Sequence, residues 1–435
     1  MKRVGNLYQK ITDIKNIKEM YDKKIKVNTK NKSKIERFDE HYTSNLARIK
    51  YMLDNKIYKP YKYNIFLVRE PKVRLIMAQS ITDKIVNHLV SKYFLIDIFD
   101  KVLIDNNIAT RVGKGTHVGI KKVKICLKDN INKDLYILKF DIKKYFFNLD
   151  HDILKRIIRS KIKDVYAINI LDTIIDSTDY DYINEEIIKI KEREINKINN
   201  SNSSNKDKLI EEINSIPLCR KGVGCSIGNL SSQSFAIIYL HELDKYVTEV
   251  LKPYLYIRYN DDGLLISDSI EYLKYCLLEI KKIVKRYKLE LNNKTIIHSI
   301  DEGFEFLGFK YIRKNNKLIV KVKNQTKKRF KRKMKNMYNL HKKFRIETDK
   351  VRRVKMSYLG HLKYGNTNNL IKKTLERYES SIYDDYNNLL ELNSKITRIE
   401  DDGTVIIYDK GVFFRYMNNE KIKRTIAFKL IKWYD

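Results

Sequence analysis

The chain has 435 residues, with 89 Lys and Arg against 54 Asp and Glu, a formal net charge of +35. Hydrophobic residues at 43% and only 4 prolines exclude a disordered or collagen-like chain, and the length implies several structural units. Four cysteines (Cys126, Cys219, Cys225, Cys276) without CxxC spacing exclude a disulfide scaffold and a zinc ribbon, and no stretch reads as a membrane span or signal core. The expected setting is a reducing cytoplasm with no membrane partner. Abundant Lys, Ile, Asn and Tyr are what AT-rich DNA encodes, but that bias does not explain why acidic residues fail to balance the basic ones. Such a surplus favours a polyanion, and nucleic acid is the expected partner.

In chain order, residues 1–60 place Phe38, Tyr42, Leu46, Ile49 and Leu53 at helical spacing, a basic helical lead-in. An apolar run from Ile65 to Val68 precedes Pro71-Lys72-Val73-Arg74 and a strand-like Leu75-Ile76-Met77. A helix is predicted from Thr82 through Phe99, then a Gly-punctuated basic loop from Arg111 to His117. Residues 135–141 (LYILKFD) alternate as a strand. Tyr136, Leu138 and Phe140 share one face, and Ile137 and Lys139 lead to Asp141 on the other. Residues 180–215 are rich in Glu, Lys and Ile and broken by Asn199 to Asn205. They read as a solvated insertion in preference to a helical hairpin with a flexible tip. Residues 254–266 (YLYIRYNDDGLLI) are two apolar strands about Asn260-Asp261-Asp262-Gly263, a hairpin signal. Further strands are predicted over 304–320, about Leu307-Gly308. From Lys321 to Lys355, sixteen Lys and Arg stand against Glu347 and Asp349 on helical spacing. After Lys395, short strands with turns at Asp402-Gly403 and Lys410-Gly411 predict a small β appendage.

An Asp-Asp-Gly between apolar strands is ordinarily just a turn. Here the strand before it is long enough to be buried, Asp141 ends a second core strand, and the surrounding chain is strongly basic. Strand-end carboxylates that meet in space make a hard-oxygen site for Mg2+, and two such ions activate a 3′-hydroxyl and stabilise a leaving pyrophosphate. Mn2+ is the alternative ion. Lys72 and Arg74, two residues apart on one strand face, are candidates to clamp phosphates, and Lys294 is a candidate for the leaving pyrophosphate. In the 321–355 stretch, Lys327, Lys328, Arg329, Arg332 and Lys335 are candidates to follow duplex phosphates.

The ordered set resembles the reverse transcriptases of bacteria over roughly residues 1–370. FDIKKYF (Phe140–Phe146) resembles the first carboxylate motif, with Asp141 as a metal ligand, the Ile142 carbonyl beside it, and Phe146 where the family keeps an aromatic that excludes a ribose 2′-hydroxyl. GCSIGNLSSQ (Gly224–Gln233) resembles the nucleotide and template pocket, which implies roles for Ile227, Gly228 and Gln233. YNDD (Tyr259–Asp262) resembles the YxDD box, LNNKT with Lys294 the lysine motif, and FLGF (Phe306, Leu307, Gly308, Phe309) the primer grip. EPKVRLI (Glu70–Ile76) with Thr82-Asp83-Lys84 resembles the segment that holds triphosphate. ATRVGKGTH (Ala109–His117) is similar to the basic loop after it, which adds Arg111, and SYLGHLKYGN (Ser357–Asn366) resembles the thumb's end.

The resemblance implies an α+β right-hand polymerase with an antiparallel palm sheet, a helical thumb and the β appendage. The expected divisions are a lead-in 1–60, fingers 61–134, palm 135–310, thumb 311–394 and appendage 395–435. It implies an RNA template, deoxynucleotides and a DNA product, in a bacterium or its phage. The nearest look is to stand-alone enzymes: those of diversity-generating retroelements and the "unknown group", many of which act in phage defence. The 180–215 insertion and the appendage tilt the expectation toward defence, with a structured non-coding RNA as template and an accessory protein or a second copy as further partner. The competing readings are retroelement diversification, untemplated or protein-primed DNA synthesis, and a non-catalytic RNA-binding protein. Two departures stand out: Asn260 where Ala, Met or Val is usual, and Cys225-Ser226 in place of an apolar-Pro pair, which is expected to loosen that turn.

Overall fold

The computed structural model describes residues 2–69, 72–201, 205–342, 346 and 348–378, together with strands at 396–399, 405–409 and 412–416. The chain divides into two units, Met1–Ser299 and Ile300–Asp435.

In the first unit the lead-in folds as its periodicity requires. Helix Tyr42–Asp54 buries Leu46, Ile49 and Leu53, and helix Lys32–Asp39 buries Ile35 and Phe38. Both pack on helix Ile81–Val90. That helix starts at a reciprocal cap: Ser80 Oγ accepts from the Asp83 N–H at 3.0 Å and donates to Asp83 Oδ2 at 2.7 Å. Its continuation is a π-helical stretch, Ser91–Ile96, and a short turn, Asp97–Phe99.

Two sheets follow. Strands β1 (Asn64–Val68) and β2 (Arg74–Ala78) form an isolated antiparallel pair that closes at Val68 opposite Arg74. The larger sheet contains β3 (Tyr136–Asp141), β4 (Leu255–Tyr259), β5 (Asp262–Ser267) and β6 (Ile296–Ser299), in the order β4-β5-β3-β6. Every pairing is antiparallel. Ile137, Leu138 and Phe140 of β3 are all fully buried, so both faces of this central strand are covered. Helix Ile270–Arg286 packs on β3 and β5. Gly263 of β5 lies opposite Phe140, and a Cβ there would meet that ring at 2.1 Å, so only glycine lets the ring lie flat across the strand.

The 180–215 segment differs from its favoured reading. It forms two helices, Tyr182–Asn199 and Lys206–Asn214. Ile183, Ile187 and Ile190 join Tyr63, Ile65, Leu75 and Met77 in one buried cluster. The polar residues that suggested a solvated insertion lie on the outer faces. The isoleucines at helical spacing were the overlooked signal. The expected tip at 202–204 lies outside the described residues.

The second unit holds an antiparallel sheet of β7 (Phe304–Phe306), β8 (Phe309–Lys314) and β9 (Lys317–Val322), followed by helices Asn324–Lys342 and Thr348–Leu362. Phe330, Met334, Met337 and Tyr338 form the buried stripe of the first helix. Strands β10 (Ile396–Ile399), β11 (Val405–Asp409) and β12 (Val412–Tyr416) pair antiparallel in that order. The turns expected at Asp402-Gly403 and Lys410-Gly411 lie outside the described residues. Among the described residues no helix is long and apolar enough to cross a membrane.

Candidate active site

Asp141 is the last residue of β3 and Asp262 the first of β5, and the register sets them directly opposite each other. Opposed residues of an antiparallel ladder project to the same face, so the two carboxylates share one side of the sheet. Asp261 lies in the two-residue turn between β4 and β5. Burial first, then the charges of Asp262 and Asp141, push its carboxyl up to about 6, and a hydrogen bond with Asp141 adds to the rise. Lys139 Nζ lies 3.8 Å from Asp262 Oδ1. Three crowded carboxylates with one of them driven toward its neutral form offer oxygens that could hold a hard divalent cation.

The backbone beyond Asp141 holds this geometry. The Ile142 N–H donates to the Asp261 carbonyl at 3.3 Å, and the Asn292 N–H donates to the Asp141 carbonyl at 2.7 Å. Asn292 Nδ2 also donates to Asp141 Oδ2 at 3.0 Å. Asn292 escaped the sequence reading although it stands two residues before Lys294. Lys294 itself is exposed in the turn before β6, its N–H on Asn292 Oδ1 at 3.3 Å.

Beneath the turn lies a buried ion pair. Arg258 and Asp244 are each fully buried; Arg258 Nε donates to Asp244 Oδ1 at 2.6 Å and one terminal nitrogen to Oδ2 at 2.7 Å. The other terminal nitrogen donates to the Asn260 carbonyl at 2.7 Å. Asn107 Nδ2 and the Tyr256 hydroxyl complete the shell of Asp244, at 3.0 and 2.8 Å. Asn260 has φ 55°, a left-handed conformation that asparagine tolerates better than the Ala, Met or Val expected there. Its side-chain Oδ1 is buried without a hydrogen-bond partner. An Arg between apolar residues of a strand was the available signal for this network, because a buried cation requires a partner.

The expected nucleotide residues divide. Phe146, half-buried in the turn Tyr145–Phe147, accepts at its carbonyl from the Cys225 N–H at 2.7 Å, which puts the 224–228 loop beside it. The Ile227 carbonyl accepts from Met77 N–H at 3.0 Å, docking that loop on β2. Gly228 is exposed at φ 125° beside Ile76, and Gln233 is half-buried on helix Leu230–Tyr239. The turn expected to be loose is pinned instead: Ser226 Oγ accepts from Asn229 Nδ2 at 2.5 Å and lies 3.1 Å from Ser232 Oγ. Arg74 opens β2 and is exposed, whereas Lys72 stands in the bend before the strand rather than on its face. Arg111 is half-buried within its own loop. Its guanidinium binds the Asp100 carboxylate at 2.5 Å and the carbonyls of Ile104 and Asn107 at 2.7 and 2.8 Å, so it ties down its own loop.

A second cluster adjoins the 224 loop. His151 Nδ1 is 3.1 Å from Asp176 Oδ1 and 3.7 Å from Asp179 Oδ2, while Nε2 is 2.7 Å from the Gly224 carbonyl. Lys155 donates to Asp176 at 2.7 Å and the Gly222 N–H to Asp179 at 3.0 Å, so these carboxylates already have donors. The cluster braces the loop and has no part in the carboxylate site of β3 and β5.

In the second unit, Leu307 and Gly308 form the β7–β8 turn with φ 48° and 88°, and Phe306 is buried at its base. Lys327, Lys328, Arg329, Arg332 and Lys335 are all exposed on helix Asn324–Lys342, and all but Lys327 point away from the stripe of Phe330 and Met334.

An antiparallel sheet with carboxylates at adjoining strand ends defines the class of palm polymerases, whose chemistry is nucleotidyl transfer. The family model described as reverse transcriptase (RNA-dependent DNA polymerase) matches residues 62–311, more than half of the chain, and the chain belongs to that family. It is an RNA-directed DNA polymerase, a nucleotidyltransferase. Enzymes of this family use divalent metal ions, generally Mg2+. No curated protein matches the chain.

Proposed function

We propose that this chain copies a structured non-coding RNA into DNA in antiviral defence, by two-metal transfer at Asp141, Asp261 and Asp262. The observation that carries the chemistry is the crowding of these carboxylates, with Asp261 pushed up to about 6 by burial and its two neighbours. Two Mg2+ ions held there, or Mn2+ in their place, supply activation of the primer 3′-hydroxyl and charge stabilisation of the leaving pyrophosphate. The chain's own residues position the reactants. Asn292 orients Asp141, and Arg258 fixes the turn that presents Asp261. Ile142, whose N–H bonds the Asp261 carbonyl, adds its own carbonyl to the metal site. Lys72 and Arg74 hold the triphosphate from the fingers, residues 61–134, while Lys294 meets the pyrophosphate. Phe146 closes the sugar pocket with Ile227, Gly228 and Gln233. Phe306, Leu307 and Gly308 grip the primer, and the basic helix of the thumb, residues 311–394, follows duplex phosphates by A-form shape. The defence role rests on the insertion and the β appendage, which depart from the family pattern.

The test is recovery of bound nucleic acid from cells carrying the wild type or Asp261→Asn/Asp262→Asn. One RNA in both, with complementary DNA in the wild type alone, is the expected result, together with loss of phage protection in the variant. DNA in the variant would overturn the metal assignment. DNA matching no RNA would indicate untemplated or protein-primed synthesis, and mutagenised copies at one chromosomal target would indicate diversification.

A further inference from the structure

Among the described residues the pair β1–β2 has no third strand, and a two-stranded hairpin is marginal on its own in water. The insertion helix Tyr182–Asn199 runs beside it and meets it at three levels. At the base, the Tyr182 hydroxyl accepts from the Tyr63 N–H at 2.9 Å. At mid-height, Ile183, Ile187 and Ile190 pack with Ile65, Leu75 and Met77. At the connected end, Glu194 Oε2 binds Arg69 at 2.5 Å. The lengths agree: twelve helical residues from Tyr182 to Glu194 rise about 18 Å, and six extended residues from Tyr63 to Arg69 run about 20 Å.

The second insertion helix closes the other side of the same loop. Glu212 Oε2 accepts from the Val73 N–H at 3.2 Å, and Val73 stands between Lys72 and Arg74. Arg69 and Val73 flank the two ends of the connection between β1 and β2, so two glutamates of the insertion hold it from both sides. Lys191 Nζ binds the Ile216 carbonyl at 2.5 Å, which ties the first helix to the segment leaving the second.

We propose that the insertion splints the nucleotide-binding hairpin, and that Glu212 is a positioning residue for the triphosphate cations Lys72 and Arg74. This rests on the reading that those cations hold triphosphate. A backbone N–H fixed between two long, mobile side chains sets where both stems begin, so the splint acts on nucleotide affinity and leaves the metal-centred step alone. The acidic side chains contribute a second effect: they offset the repulsion among Arg69, Lys72 and Arg74 that would otherwise push the hairpin end outward.

The experiment compares wild type, Glu212→Ala and Glu212→Gln as full chains. Loss of the bond in Glu212→Ala raises the deoxynucleotide KM about tenfold. The kcat and RNA affinity stay within about twofold of wild type, as expected for lost ground-state binding. Glu212→Gln, which still presents an acceptor oxygen, restores most of the affinity. Hydrogen exchange quickens over 64–78 in Glu212→Ala and stays at the wild-type rate over 255–267. An unchanged KM, a fall confined to kcat, or unchanged exchange over 64–78 would overturn the proposal. Wild-type protein that incorporates no nucleotide would overturn the polymerase reading instead, and the exchange comparison would still decide the splint.

Discussion

Two hairpins carry the candidate reactive groups, and they are held in opposite ways. The β4–β5 hairpin presents Asp261 and Asp262 from inside a four-stranded sheet, and its turn is fastened from below by the buried Arg258–Asp244 pair. The β1–β2 hairpin carries Arg74 and leads from Lys72 with no sheet around it. It is fastened from outside, by isoleucines of an insertion and by two glutamates at its connected end. A fully desolvated ion pair with its hydrogen bonds satisfied has one arrangement and a steep cost for leaving it. Apolar packing with solvent-reached ties holds a direction less rigidly. The turn that carries the carboxylates is built for fixed geometry, and the loop that carries the cations is held less rigidly.

The largest effect that breaks this comparison is at Asp244. Asp244→Ala leaves the Arg258 cation buried without its carboxylate, and about 3–5 kcal/mol of stability is lost. Denaturant titration checks this, and a loss below about 1 kcal/mol would mean the turn is held by the sheet alone.

Next is the titration of Asp261. Its carboxyl sits at about 6 in the fold against about 3.8 in the unfolded chain, so the folded state holds the extra proton between those values. Stability of the metal-free protein therefore falls as pH rises from about 4 to about 6, and the loss is complete above that window. Mg2+ binds the deprotonated form, so it raises the thermal midpoint above pH 6 and has little effect near pH 4. Asp261→Asn, measured beside the wild type with Mg2+ or chelator, removes both the slope and the Mg2+ response. A variant that keeps them would place the cation elsewhere.

The smallest effect is at Glu194. Its ion pair with Arg69 is solvent-reached, with Arg69 at 38% exposure, so Glu194→Ala costs under about 1 kcal/mol in thermal denaturation. Hydrogen exchange at the hairpin's connected end rises nonetheless. A cost as large as that of Asp244→Ala would erase the distinction between the two hairpins.

Much of this was legible along the chain because it is local. The helical spacing of Leu46, Ile49 and Leu53, the alternation ending at Asp141 and the turn at Asn260-Asp261 each lie within a few residues of their cause. Period and turn chemistry express themselves over that range. The insertion was misread because its polar outer face outweighed isoleucines whose partners, Ile65, Leu75 and Met77, lie more than a hundred positions away. Arg111 was assigned to nucleotide for its motif, yet its bonds to Asp100, Ile104 and Asn107 depend on how one loop closes.

By itself the sequence determined the strands and helices, the basic surface, and the presence of carboxylates at two strand ends, since these follow from periodicity, charge and spacing. Only the tertiary structure decided that Asp141 stands opposite Asp262, that Asn292 and Arg258 support them, and that the insertion rests on the β1–β2 hairpin. Those are pairings between distant segments, selected by which apolar faces and buried charges find complete partners, and no local pattern records the choice.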